Sequence, residues 1–333
     1  MADRYMYIPA IGLFYIAGLA FHRAYNWKSR FEKARKVSSV VILSVVILIL
    51  SILTYQRNNV WQNSETLWLD VIEKYPEVHV AHNGLGGAYA KKDRLDKAVK
   101  EYKLALNLKP NYAKAHIGIG FVYVKQKKFD NAIKEYLTAI RLKPDFAGTY
   151  NNLGYAYAKQ GRLNNAVEVY LKALELKPNF TKAHNNLGLA YADLEQLDNA
   201  IREYQLALKL NPEYGKVYFN LGLTYYKKGL WDLAISSYKE ALKYNPDDIE
   251  ILNNLANTYT RVGLLDNAIS TFKEALRADP NDSITHYNLG FTYKRKGMLD
   301  QARYEFQEVL RIDPNFEAAK RGLRESMSQQ RER

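Results

Sequence analysis

The chain has 333 residues, 25% charged and 47% hydrophobic, a balance that excludes a disordered polymer and fits a folded protein of more than one small core. It contains no cysteine, which excludes disulfides, zinc-thiolate sites and a cysteine nucleophile. The net charge is +13, and residues 1–60 hold eight Lys and Arg against two acids, +6 of that total; such a balance suits an anionic surface or an acidic partner and is silent on fold.

Two apolar segments come first. Residues 5–21 form a short, aromatic-rich stretch with Pro9 near its start, and 37–55 reads VSSVVILSVVILILSILTY, nineteen residues without a charge. As a helix rising 1.5 Å per residue the second spans about 28 Å, the thickness of a bilayer's hydrocarbon core. Asp3 beside Arg4 and the lack of a small-residue cleavage site argue against a cleaved signal peptide. The expectation is therefore a membrane anchor over residues 1–56, of one or two transmembrane helices. Between the segments, residues 22–36 carry Arg23, Lys28, Arg30, Lys33, Arg35 and Lys36 against Glu32. The positive-inside rule makes this loop cytoplasmic. Whichever segments span, the rest of the chain is then expected to be extracytoplasmic: periplasmic, extracellular or luminal.

Every proline after Pro9 stands on one ladder of constant step 34, from Pro76 through Pro110, Pro144, Pro178, Pro212, Pro246 and Pro280 to Pro314. With Pro at position 32, seven units without insertion cover residues 79–316. Position 8 is Gly86, Gly120, Gly154, Gly188, Gly222, Ala256 and Gly290, and position 20 is always Ala, from Ala98 to Ala302. A mid-helix Gly costs roughly 1 kcal/mol against Ala, so its recurrence implies a close approach of two helices, with the position-20 Ala as the facing small residue. Position 11 is always Tyr, from Tyr89 to Tyr293, and positions 24 and 28 hold an aromatic and then Leu or Ile in most units, as in Tyr102 and Leu106. These offsets give two apolar helix stripes joined by a short turn, which holds Gly161, Gly229, Gly263 or Gly297 in four units. Each unit is thus a helical hairpin. Upstream, Trp68, Ile72 and Pro76 fall in the same register, predicting a degenerate half repeat over 57–78 whose first helix continues, or packs on, the membrane helix. Downstream, 317–333 reads as a polar cap helix, with Leu323 in register.

The period, the Leu-Gly pair at positions 7 and 8, Tyr at 11, Ala at 20 and 27 and Pro at 32 resemble the tetratricopeptide repeat over about three quarters of the chain. The resemblance implies an all-α, right-handed superhelical solenoid. A second, more local resemblance covers residues 3–68. Asp3-Arg4-Tyr5-Met6-Tyr7-Ile8-Pro9, Ile11-Gly12, Arg57, Trp61 and Leu67-Trp68 resemble the junction at which GT-C-type glycosyltransferases, such as repeat-containing protein O-mannosyltransferases, join a C-terminal repeat array. It implies an exported repeat domain without the family's acidic catalytic motif, which lies upstream of the matching region.

No phosphate loop, zinc-type His-Glu motif or catalytic triad is found, so the chain is expected not to be an enzyme and to carry no catalytic residue, cofactor or metal. His82, His116, His184 and His286 all occupy position 4 and read as partly buried packing residues. The candidate binding residues are Asn152, Asn186, Asn220, Asn254 and Asn288 at position 6 of units three to seven. An amide offers an acceptor and two donors, so a column of them can hold an extended peptide backbone without reading its sequence. O-linked N-acetylglucosamine transferases resemble this array in carrying a comparable Asn column along the groove. Position 13 forms a basic rail of Lys91, Lys125, Lys159, Lys227, Arg261 and Arg295, broken by Asp193, suited to acidic segments or anionic glycans. The alternative for the rail is that cations favour helix C-termini by roughly 0.3–1 kcal/mol whatever they bind. The carboxylate clamp of chaperone-binding repeats is not reproduced, since Asn151, Asn185 and Asn253 occupy position 5. Nucleic-acid binding is not expected, because the 27 tyrosines fall mostly on core positions and almost half the net charge lies in the anchor.

The function expected is a non-catalytic, membrane-tethered scaffold that binds a protein or peptide partner, acidic in character, in its concave groove. Two alternatives stand beside it: an accessory or detached part of a GT-C-type glycosyltransferase that presents protein acceptors, and a self-associating envelope scaffold.

Overall fold

The computed structural model of the protein describes residues 7–28, 30–60 and 62–331. Among the described residues there are 18 helices and no strand. They divide into two compact units, Met1–Pro110 and Asn111–Arg333.

The first unit holds α1 (Tyr7–Asn26), α2 (Glu32–Val60), α3 (Ser64–Lys74), α4 (His79–Lys91) and α5 (Leu95–Leu108). Helix α2 starts earlier than the charge pattern suggests: Lys33, Arg35 and Lys36 lie on its first turns rather than in a loop, and Lys36 pairs with Glu32 at 2.6 Å. An i,i+4 pair and an acid at the helix N-terminus both favour this extension. The stretch Glu32–Tyr55 is, among the described residues, the one helical segment long and apolar enough to cross a membrane, and none of it is buried. Of the junction residues named above, Asp3 to Met6 and Trp61 lie outside the described residues, as does Tyr5 at the start of the first apolar segment.

Helix α2 runs on to Val60, into the expected half repeat, and a separate helix begins at Ser64. The Asn63 side chain accepts hydrogen bonds from the backbone N–H groups of Glu65 (2.9 Å) and Thr66 (3.1 Å), the N-cap of a new helix. The Thr66 hydroxyl donates to the carbonyl of Val60 at 2.9 Å and ties the start of α3 to the end of α2. Trp68 on α3 lies flat against α4 at Gly84, where no Cβ fits. Lys92 and Arg94 reach back to Glu65 at 2.6 and 2.9 Å, so α3 takes the place of a preceding second helix.

The second unit is a run of six hairpins: α6 (Ala113–Lys125) with α7 (Phe129–Leu142), α8 (Ala147–Lys159) with α9 (Leu163–Leu176), α10 (Thr181–Asp193) with α11 (Leu197–Leu210), α12 (Gly215–Lys227) with α13 (Trp231–Leu242), α14 (Ile249–Val262) with α15 (Leu265–Ala278), and α16 (Ser283–Arg295) with α17 (Leu299–Ile312). Helix α18 (Glu317–Arg331) closes it. The small residue at position 8 makes room chiefly for the position-24 ring of its own hairpin rather than for the position-20 Ala. A Cβ built on Gly86, Gly120, Gly154, Gly188, Gly222 or Gly290 would come within 2.5–2.9 Å of that ring. The rings themselves, from Tyr136 and Tyr170 to Phe272 and Phe306, are at most 1% exposed. Gly322 of α18 meets the Phe306 ring in the same way and so extends the packing into the cap.

The hairpin turn is uniform where the sequence is not. Gly161, Gly229, Gly263 and Gly297 have φ of 78–82°, and Asp93, Lys127 and Glu195 take up the same left-handed position with φ 58°. Three non-glycine residues therefore accept a conformation disfavoured by about 1 kcal/mol because both helices are already fixed by packing.

The position-4 histidines are buried or half-buried, as expected of packing residues, and each also meets a carboxylate. His82, His116, His184 and His286 place Nδ1 at 2.6–2.7 Å from a carboxylate oxygen of Glu101, Glu135, Glu203 and Glu305. The Nε2 atoms of His82, His184 and His286 face the carbonyls of Pro76, Pro178 and Pro280 at 3.0, 2.9 and 3.1 Å. Each such imidazole meets two acceptors and latches one hairpin to the loop before it, and at His184 and His286 the net effect favours the doubly protonated ring. The partner was written at a fixed offset of 19: units with His at position 4 carry Glu at 23, and units three, five and six, with Tyr150, Tyr218 and Leu252, carry Val169, Ser237 and Thr271 instead.

Candidate functional groove

Within the second unit each second helix packs on the first helix of the next hairpin, and the first helices also touch one another, as α12 does α14 and α14 does α16. No second helix approaches the next one as closely. The first helices therefore crowd together while the second helices splay, which puts the first helices on the inner, concave side. Their positions 6, 9 and 13 face that side. Toward its C-terminal end an open cleft of about 710 Å³ is lined by Asn254, Asn288, Arg261 and Arg295 together with Tyr287 and Phe291. The two candidate series, amide and cation, thus converge here. Tyr226, Asn257, Thr260 and Thr292 complete the lining.

The asparagine column divides. Asn220 is 6% exposed, and its amide donates to Oδ1 of Asn185 at 3.0 Å, so it is committed to the contact between repeats. Asn186 is half-buried and donates in the same way to Asn151 at 3.0 Å. Asn254 spends one N–H on the Glu250 carbonyl of its own helix at 2.8 Å and keeps its second N–H and its oxygen. Asn152 and Asn288 are half-buried on the same face. The bridging depends on a polar residue at position 5 of the preceding unit: Asn151 and Asn185 provide one, whereas Phe219 precedes Asn254 and cannot.

The cation rail divides too. Lys125 and Lys159 lie over the rings of Phe121 and Tyr155 at 5.8 and 5.5 Å, and Lys227 pairs with Glu195 at 3.4 Å. Lys91 is exposed on α4 of the first unit. Arg261 and Arg295 alone of the rail line the cleft. Arg295 donates to the carbonyl of Thr260, and Arg261 lies over the Trp231 ring at 5.6 Å. Sequence reasoning missed the aromatic share of the site. Its signal was the ring at position 9 in Phe121, Tyr155 and Phe291, one turn before the position-13 cation.

An array of helical hairpins with an open, mixed polar and aromatic inner face belongs to the α-solenoids that bind other chains. Models described as TPR repeat match residues 86–127, 120–161, 154–195 and 190–229, and models described as tetratricopeptide repeat match 219–283 and 271–304. The chain belongs to the tetratricopeptide-repeat family. Among solved structures it is similar to the C-terminal part of a repeat-containing protein of Cytophaga hutchinsonii, at 16% identity and TM-score 0.59 over 72% of this chain and 98% of that one. It is also similar to the Cut9–Hcn1 hetero-tetramer of the APC/C, at 19% identity and TM-score 0.58 over 78% and 51% of the two chains. A third is pilF of Pseudomonas aeruginosa, at 22% identity and TM-score 0.55 over 61% and 92%. At these identities the likenesses speak to fold alone. No curated protein sequence matches the chain.

Proposed function

We propose that the protein is a membrane-tethered, non-catalytic scaffold that holds an extended segment of a partner protein in the concave groove of repeats three to seven. The observation that carries this reading is the composition of the cleft between α12 and α16, where backbone-binding amides, aromatic rings and cations share one open surface. Asn152, Asn254 and Asn288 are the ligand amides in this reading, while Asn186 and Asn220 hold the repeats together. Changing the first three to Ala is expected to weaken peptide capture roughly tenfold or more, at about 0.5–1.5 kcal/mol per hydrogen bond, with the thermal transition unchanged. Asn220→Ala is expected to do the reverse and lower stability by about 1–3 kcal/mol, since it leaves the buried Asn185 oxygen without its donor. Capture by the triple variant equal to that of the native chain, in fluorescence anisotropy, would remove the asparagines from the site.

The tether in this reading is α2, none of whose apolar stretch is buried among the described residues. Basic residues crowd before it, so the proposed orientation puts the repeats on the extracytoplasmic side. The chain has no cysteine, which makes the test clean. Single-cysteine variants at Ser38 and at Ser270 on α15 are expected to react with a membrane-impermeant maleimide in intact cells at position 270 and not at 38. Equal shielding of both positions would reverse or abolish the topology.

A further inference from the structure

This inference rests on the groove reading and deepens it by naming the chemistry of the ligand. We propose that the cleft between α12 and α16 takes an internal, acidic segment in extended conformation, with carboxylate side chains three residues apart and an apolar residue between them. The charge at the site is uncompensated. Arg261 and Arg295 line the cleft, none of its lining residues is acidic, and neither guanidinium forms an ion pair with a carboxylate among the described residues. The lysines of the neighbouring turns behave otherwise, Lys228 pairing with Asp198 and Lys296 with Asp266.

Both guanidinium groups are also held in place. The Thr260 carbonyl takes one N–H of Arg295, and the Trp231 ring, itself edge-on to Tyr226 at 5.1 Å, lies beneath Arg261. An arginine has five N–H donors, so each keeps a free fork for a carboxylate, and pre-positioning lowers the entropy lost on binding. Spacing follows from the repeat. The two arginines are equivalent positions on α14 and α16, which pack directly against each other. Packed helix axes lie about 8–10 Å apart, and an extended chain of polyproline-II type advances about 3.1 Å per residue and returns to the same face every third residue, so one repeat matches about three residues. One of the two residues between the acids falls against Phe291 and Tyr287, while Asn254 and Asn288 remain for the backbone. A terminal carboxylate supplies a single anion and satisfies one fork, so the two-arginine site selects side chains of an internal segment.

The test is a selection with the full chain in detergent micelles against a pool of octapeptides randomised at every position and blocked at both ends, followed by sequencing. The expected result is enrichment of Asp and Glu in pairs at i and i+3, with Phe, Tyr, Leu or Ile between them. The selected pool should bind Arg261→Gln/Arg295→Gln at least tenfold more weakly and lose affinity with rising salt. Selected peptides without acid enrichment would overturn the inference and leave the groove reading intact. A parallel pool with free carboxyl ends that is preferred without internal acids would also overturn it. If no peptide is selected at all, both fail. The native chain's enrichment decides the matter even where the double variant does not fold.

Discussion

Replacing Tyr204 by alanine is expected to lower the unfolding free energy by about 3–5 kcal/mol, the range for deleting a large aromatic from a close-packed core. The ring is 0% exposed, and Gly188 lies so close that a Cβ there would stand 2.6 Å from it, so the surroundings cannot collapse into the void without moving α10 toward α11. Burial drives the phenol's pKa well above its ordinary value. Tyr204→Phe keeps the buried ring and is expected to cost about 1 kcal/mol or less. Stability in a repeat array is a sum of repeat terms and nearest-neighbour terms, so the alanine variant should broaden or split the urea transition as well as shift it. Helical circular dichroism against urea reads both effects, and a single unshifted transition would show that the ring is not a keystone.

Glu305→Gln is expected to cost about 3 kcal/mol at pH 6, because it leaves a cationic His286 without its counter-charge at a site where each side chain is only 10% exposed. The hydrogen bond that His286 donates to Glu305 is the largest influence on it and holds its pKa above the ordinary value against the opposing effect of burial, with help from the Pro280 carbonyl and the charge of Glu308. At His184 burial is the largest influence and pulls the pKa down, yet Glu203 and the Pro178 carbonyl outweigh it, and the net direction is again upward. A raised folded-state pKa fixes the sign. The stabilisation is full below the unfolded value, near 6.5, and is lost as pH rises through the folded value. Thermal transitions of the native chain should therefore fall between about pH 6 and pH 8 or above, and Glu305→Gln combined with Glu203→Gln should flatten that slope. A native profile already flat across this window would refute the latch. Repeats three, five and six lack the pair, so the pH-dependent loosening should spare those hairpins.

Much of the fold was legible from short-range pattern. Period, hairpin, turn position and cap follow from proline spacing and from apolar residues at helical offsets, which are properties of adjacent residues and of steric rules the chain meets locally. The offset of 19 between His184 and Glu203, or His286 and Glu305, was equally visible in the letters, but its meaning depends on how one helix folds back along the other. The site was legible only as two series of equivalent positions. That Asn220 closes on Asn185 while Asn254 stays open, and that Arg261 is unpaired while Lys227 is not, depends on residues a full repeat away.

By itself the sequence determined an all-helical array of seven hairpins behind an apolar N-terminal segment, because a strict period of 34 allows each unit one way to bury its stripes, against its neighbours. The tertiary structure decided which equivalent residues are equivalent in use. Side chains at one repeat position share a backbone geometry, but each sees a different partner from the adjoining repeat, and hydrogen bonds and ion pairs are short-ranged enough for that partner to fix their fate. Of the five asparagines, Asn186 and Asn220 bridge repeats while Asn152, Asn254 and Asn288 do not, and of the six rail cations Arg261 and Arg295 line the cleft.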